Sequence, residues 1–362
     1  MKIAIVSLVS RIGDNTGDMV QAQKTAEAIR SLGHDVVRCF FNQNTGEVFG
    51  GDGRELGQWE EIFSDRDIVH AIPPIPWKFI RGQSRLKAKL VCSTVFWRSY
   101  AYTKVIQKVD GELTVGMLKD YARTVLAWLG LPSYTSYYGY DLLLPNSEDE
   151  IRNFKRYCLL KTDAKIVAIP NAIDCIPDYV RELSRPEFLP KDDYILVPGV
   201  FAARKNQLSF IRAMYGSSYP IVFIGTGALL ERCKSEASCD MRFLGHIQHG
   251  TPEFYGVMKY ARVVCLPSNC ETPGIAALEA AALGARPVVP YEGGTSQYFC
   301  WDAEYLNPLS IQSIRTSVEK AWRRGRLSDV EADRYARGTW SICAKATLAA
   351  YNDISGFHAM GV

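Results

Sequence analysis

A chain of 362 residues exceeds one typical domain and points to two. With 47% hydrophobic and 22% charged residues it has ordinary globular composition, and a formal charge of +3 without any long like-charge block argues against nucleic-acid binding. Its ten cysteines are scattered without a C-x-x-C pair, so neither a disulfide framework nor a zinc site is indicated and a reducing, cytoplasmic compartment is expected.

Lys2 to Val9 reads as a buried strand, too short before Arg11 and Asp14 for a signal sequence or a membrane span. A helical pattern from Val20 to Leu32 follows and ends at Gly33, and His34 to Phe41 is a second strand. The loop glycines between them, Gly13 and Gly17, do not form G-x-G-x-x-G, so a nicotinamide site is poorly supported. Glycine there closes a tight turn or lets a substrate approach the backbone. Asp67 to Ile72 is a strand with His70 near its end, and Val91 to Phe96 another. Between them, residues 77–90 are basic and aromatic. A solvated face with a core-facing stripe is the preferred reading, and peripheral membrane contact through this stretch the minority one. A helix is expected over residues 113–130 and a strand over Leu142 to Pro145. Ser147 and Glu150 form a capping-box pattern, and Ile166 to Ile169 is the last strand of this half. The Pro- and charge-rich stretch from Asp174 to Asp193 reads as a linker.

The second half opens with the strand Tyr194 to Val200, the loop that carries Arg204 and Lys205, and a helix from Gln207 to Met214. Ile221 to Ile224 leads into Gly225-Thr226-Gly227. His246 and His249 suggest a metal pair, but no third ligand is spaced to join them. A helix from Pro252 to Tyr260 and a strand from Val263 to Leu266 follow. Pro267, Ser268 and Asn269 break that strand, Pro273 fits the first turn of a helix, and Gly284 ends it before a strand at Arg286 to Val289. From about Ser310 the chain is mostly helical, with a terminal helix over Trp340 to Ile354.

Strand-to-helix loops lie at the carboxyl edge of an α/β sheet, where such sheets bind ligands. The N–H groups of Gly274, Ile275 and Ala276 would there favour an anion such as a phosphate. Glu271 is placed to hydrogen-bond a hydroxylated group beside that anion, and Glu279 to take a ribose diol. Arg204 and Lys205 on a neighbouring loop would neutralise a diphosphate. Solvated carboxylates and an ordinary surface cation pair are the alternatives. Glu279 stands apart from the first of these as the only charge in an apolar helix. The residues alone therefore describe a two-domain α/β protein with an anion-binding crevice between its domains.

Glu271 and Glu279 with seven residues between them, then Ala280, Gly284 and Pro287-Val288-Val289, resemble the signature of retaining glycosyltransferases of family 4. Gly33-His34 with Gly17, Pro170-Asn171 through Asp174, Gly225-Thr226-Gly227 and Phe243-Leu244-Gly245 are similar to further segments of that family. Departures are Thr272-Pro273 in place of Gly-Phe, Thr16 for a glycine, Val200 for an arginine, and Gln297 for a glutamate. Ser93, Thr94 and Trp97 also stand where members often carry a histidine.

The resemblance implies the GT-B fold, two Rossmann-like domains facing each other across a cleft. An acceptor-side domain would span residues 1–173, a linker 174–193 and a nucleotide-sugar-binding domain 194–338. Residues 339–362 would form a helix that packs back on the first domain. It also implies transfer from a nucleotide-sugar donor to a carbohydrate, lipid-linked or other hydroxyl acceptor, with no metal and no cofactor besides the donor. Lys205, Glu271 and a cleft-facing His70 become the catalytic candidates, with Gly17, Arg204, Gly225, Gly274, Ile275 and Glu279 binding the donor. Arg204 would replace the charge missing at Val200. A nucleotide-sugar epimerase, a phosphorylase and a non-catalytic sugar-nucleotide binder share this pattern.

Overall fold

The computed structural model describes residues 1–9, 17–42, 44–72, 74–75, 87–98, 137–158 and 163–355, with the single positions 122, 125 and 126. The helix expected over 113–130 and residues 77–86 of the basic stretch lie outside the described residues, apart from those three positions. The chain forms two compact units. It passes from the first to the second between Ala172 and Ile173, and returns between Thr339 and Trp340.

The first unit is built on eight strands: β1 (Lys2–Leu8), β2 (Asp35–Phe41), β3 (Glu47–Gly50), β4 (Glu55–Gln58), β5 (Ile68–Ala71), β6 (Lys89–Cys92), β7 (Leu142–Leu143) and β8 (Lys165–Ile166). Their order in the sheet is β4-β3-β2-β1-β5-β6-β7-β8. β1 pairs in parallel with β2 and β5, and only β3 and β4 run antiparallel to their neighbours. Ile3, Ala4, Ile5 and Val6 are wholly buried, as a central parallel strand with both faces covered requires. β3 and β4 escape the sequence reading because they are four-residue strands containing glycine rather than alternating apolar runs. Helix Gly17–Ser31 buries Met19, Ala22, Ala26 and Ile29, the i, i+3, i+7 and i+10 stripe. The terminal helix, Trp340–Ser355, packs against it.

Six strands form the second sheet: β9 (Ile195–Pro198), β10 (Ile221–Ile224), β11 (Met241–Phe243), β12 (Val263–Cys265), β13 (Arg286–Pro290) and β14 (Glu304–Leu306). All pairs are parallel, in the order β11-β10-β9-β12-β13-β14. Numbered within the unit this is 3-2-1-4-5-6, the doubly wound order whose switch point lies between the first and fourth strands. Here those strands are β9 and β12, and the two loops that leave them carry Lys205 and Glu271.

The stretch from Asp174 to Asp193 is a packed part of this unit. Lys259 Nζ donates to the carbonyls of Val180, Arg181 and Leu183, and Tyr260 Oη to Leu183. Arg185 donates to the carbonyls of Pro190 and Asp192. The stretch that reads as a connector is held from outside by Lys259 and Tyr260 and from within by Arg185.

Candidate active site

Helix Ile275–Ala282 is made of alanine, leucine and isoleucine around the single charge of Glu279, a composition with high helix propensity. It ends in a Schellman motif. Gly284, at φ +92°, donates to the Ala281 carbonyl and Ala285 to that of Ala280. The start differs from the sequence expectation. Pro273 is not in the first turn, because Gly274 adopts the left-handed conformation (φ 90°, ψ 67°) and the helix begins only at Ile275. A side chain on Gly274 would also meet Leu266 Cδ1 at 2.8 Å. Ala277 N–H is the first to find a partner, the Gly274 carbonyl. The N–H groups of Gly274, Ile275 and Ala276 have no acceptor among the described residues. The opening of this helix is therefore electropositive and unsaturated.

Glu271, three residues earlier, is fixed by backbone. It forms an isolated parallel bridge with Gly293, accepts from Gly294 N–H, and donates its own N–H to Glu292. A Cβ on Gly293 would lie 1.9 Å from the Glu271 carbonyl oxygen, so only glycine allows the two loops this close. Its carboxylate Oε1 receives Lys205 Nζ at 2.5 Å, with both side chains largely buried. Burial alone would raise the Glu271 pKa, but the opposing charge of Lys205, reinforced by Arg204, holds it below the ordinary value.

Lys205 lies on the short 3₁₀ turn Ala203–Lys205. Asn206 follows in the left-handed conformation (φ 58°), and its buried amide donates to the carbonyls of Pro267 and Pro308. Asn269 N–H donates to the Arg204 carbonyl. These bonds lock the β9 and β12 loops together across the switch point. Asn206 is invisible as a site residue in the sequence, because its role depends on carbonyls 61 and 102 positions away. Arg204 is exposed and makes no ion pair among the described residues, and Val200 is exposed on the same loop.

Gly225 and Gly227 act on the same loop from the β10 side. At φ +125° and +152°, their missing side chains would collide with Gly199 O at 2.1 Å and Phe201 O at 2.5 Å. Their glycine is thus required by loop-to-loop packing. Glu279 is paired: its Oε1 lies 2.5 Å from His249 Nε2. His246 does not join them, and no group of three metal-ligating side chains occurs among the described residues.

Two candidates from the first half are placed differently from expectation. His70, 1% exposed, is no solvent-facing group: Nδ1 meets Tyr351 Oη at 2.7 Å and Nε2 meets Ser93 Oγ at 2.9 Å. Burial drives its pKa down to about 3, so the ring is neutral, and protein hydroxyls hold both nitrogens. Gly17 opens helix Gly17–Ser31 in open space, with nothing within 4 Å of the position a Cβ would take, so no close contact demands glycine. The polar residues around His70 complete a buried network. Gln21 Nε2 donates to Asn146 Oδ1, and Asn171 Nδ2 to Gln21 Oε1. Glu150 accepts from Thr94 Oγ1 and from the N–H groups of Phe96 and Asn146. Half of the expected capping box is present, Glu150 N–H to Ser147 Oγ; the return bond goes to Asn146 instead.

One α/β unit on a mainly parallel sheet and a second on a wholly parallel, doubly wound sheet make a GT-B fold, as in the glycosyltransferase structures the chain superposes on. Residues 180–312, all within the second unit, match the family described as "Glycosyl transferases group 1". The chain carries a glycosyltransferase domain. Sucrose-phosphate synthase from Thermosynechococcus elongatus superposes with a TM-score of 0.72 at 13% identity, over 99% of this chain and 100% of that one. HepE of Anabaena, in complex with UDP, has a TM-score of 0.59 at 14% identity, covering 98% of each chain. The catalytic domain of starch synthase IV from Arabidopsis thaliana, bound to ADP and acarbose, has a TM-score of 0.60 at 11% identity, over 98% of this chain and 99% of that one. No curated protein sequence matches the chain.

Proposed function

We propose that the protein transfers a sugar, with retention of configuration, from a nucleotide-activated donor to an acceptor hydroxyl. The observation that carries this reading is the cluster at the β9–β12 switch point. Lys205, exposed Arg204, buried Glu271 and the unpartnered N–H groups of Gly274 to Ala276 lie on adjoining loops. Gly274 itself abuts Glu271: a Cβ on it would sit 3.5 Å from Glu271 Cβ. The resemblance to family 4, the group 1 domain and the nucleotides bound by fold relatives support the same reading.

As the bond from the sugar's anomeric carbon to the donor phosphate breaks, negative charge grows on the leaving diphosphate. Lys205, Arg204 and the helix opening stabilise that charge, and fixed dipoles in place before reaction need little reorganisation. These charges do without a bound metal. Glu271 holds the sugar hydroxyls, and its contact with Lys205 fixes both groups relative to the reacting bond. Glu279 takes the ribose.

The test is incubation with a panel of nucleotide sugars and acceptors in the presence of EDTA, with product configuration read by NMR. A product that keeps the donor's anomeric configuration and releases nucleoside diphosphate supports the reading. An inverted product removes retention, and a strict requirement for added metal removes metal independence. Isomerised donor with no acceptor needed makes the protein an epimerase.

A further inference from the structure

The carboxylate of Glu279 does not set its own direction. His249 Nε2 lies 2.5 Å from Glu279 Oε1, while Nδ1 of the same ring lies 3.9 Å from Asp174 Oδ2. The ring also leans on Phe254, centroid to centroid 4.5 Å. Three stretches far apart in sequence converge here: the chain just past the crossing at Ile173, the loop after β11, and the helix after β12. The histidine side chain is 44% exposed and that of Glu279 13%. An exposed ion pair held by nothing else contributes little, because two flexible side chains must be ordered for it. This imidazole is already ordered by its packing on the Phe254 ring, so it can order Glu279 in turn.

Carboxylates only accept hydrogen bonds, through about four lone-pair sites, so Nε2 carries the proton in this contact and occupies one of them. The direction of the carboxylate is thereby fixed. We propose that His249 is the positioning residue that aims Glu279 at the 2′- and 3′-hydroxyls of the donor ribose, with Phe254 holding the ring. The inference rests on the donor reading above and adds to it a residue outside the Glu271–Glu279 pattern. Nothing in the sequence ties His249 to Glu279. It precedes Glu279 by 30 positions and only the β11–β12 topology joins them.

The experiment measures dissociation constants of the full chain for uridine, adenosine, guanosine and cytidine diphosphates, then for the 2′-deoxy form of the tightest. The wild type should prefer the ribonucleotide. His249→Ala should reduce that preference about tenfold, the worth of one charge-assisted hydrogen bond, while its affinity for the deoxy form stays nearly unchanged. His249→Gln, which keeps an N–H donor, should recover part of the preference, and it replaces the alanine variant if that one fails to fold. Glu279→Ala should abolish the preference. Undiminished ribose preference in both His249 variants overturns the positioning role and leaves the donor reading intact. Undiminished preference in Glu279→Ala overturns the ribose assignment and the inference together. A wild type that binds none of the four diphosphates overturns the donor reading itself.

Discussion

The carboxyl edges of the two sheets carry similar residue types and use them in opposite ways. At the edge of the first unit, Gln21, His70, Ser93, Asn146 and Glu150 are each at least 95% buried and hydrogen-bond one another or the nearby backbone. At the edge of the second, Arg204 stands in solvent, Lys205 shares its charge with a single carboxylate, and three helix N–H groups await an acceptor. A polar residue at a strand end belongs to a binding site only if it keeps hydrogen-bonding capacity open. By that criterion these five residues brace the first unit, and the proposed anion belongs at the second edge.

The largest effects should come from the glycines that let the second edge close up. Gly293→Ala would place a methyl group 1.9 Å from the Glu271 carbonyl oxygen at φ +116°, and Gly225→Ala one 2.1 Å from Gly199 O at φ +125°. Backbone strain and overpacking together should cost about 2–6 kcal/mol, seen as a large drop in Tm. Gly17→Ala, with open space around it, should leave Tm almost unchanged. An equal response at all three positions would erase the distinction.

Next in size is the charge pair. Losing one charge-assisted contact in the transition state is worth roughly 1.5–3 kcal/mol, so Lys205→Ala or Glu271→Ala should lower turnover by about one to two orders of magnitude. Lys205→Ala also strands a buried carboxylate, whereas Lys205→Ala with Glu271→Ala does not. The double variant should therefore be less destabilised than the sum of the singles in a Tm-based cycle. Full activity in both single variants would sink the assignment of this edge.

How much of this is legible in the sequence follows the same division. The second unit's strands are continuous apolar runs bounded by glycine and proline, so β9, β10, β12 and β13 and the loops bearing Lys205 and Glu271 can be placed from sequence. The short β14, in a stretch without such a run, cannot. Placement is legible where it depends on residue type at a fixed local spacing, as for Glu271 and Gly274 on the loop before helix Ile275–Ala282. It is not where partnership is long-range. His70 looks available in sequence because neither Ser93 nor Tyr351, 281 positions on, can be recognised as its partner. The roles of Asn206 and His249 stay hidden for the same reason.

The bracing role of the first edge has its own pH signature. His70 has a pKa near 3 in the native state because burial disfavours the imidazolium, against about 6.5 when unfolded. Below that unfolded value the unfolded chain takes up a proton that the native state refuses. Stability then falls with pH by about 1.4 kcal/mol per unit, reaching roughly 2 kcal/mol by pH 5. Glu150 runs the other way. Burial raises it to about 7, partly offset by Thr94 and the backbone N–H groups, so the stability its neutral form contributes is complete below the unfolded value and fades as pH rises through 7. His70→Gln should lose stability at neutral pH through broken buried hydrogen bonds, yet lose less on going to pH 5 than the wild type. Because Glu150 offsets part of this loss, the comparison is the difference between the two proteins: an identical change in stability of wild type and His70→Gln between pH 7.5 and 5 would show that the ring titrates in solvent, and the first edge would again be a candidate site.

The smallest expected effect separates the two cations of the second edge. Arg204 is exposed, so its attraction for a diphosphate acts partly through water and is screened over about 10 Å at 0.1 M salt. Lys205 is 16% exposed and pinned to Glu271, where ions penetrate poorly. Arg204→Ala should weaken nucleoside diphosphate binding about three- to tenfold at low salt, and the deficit should shrink as salt is raised to 0.5 M. The deficit of Lys205→Ala should persist across the same range. If the Arg204 deficit also persists, the guanidinium closes over the diphosphate and makes direct, dehydrated bonds to it. Arg204 would then fully take the place of the arginine absent at Val200. If instead Arg204→Ala binds as the wild type does even at low salt, Lys205 and the helix opening at Gly274 carry the anion alone.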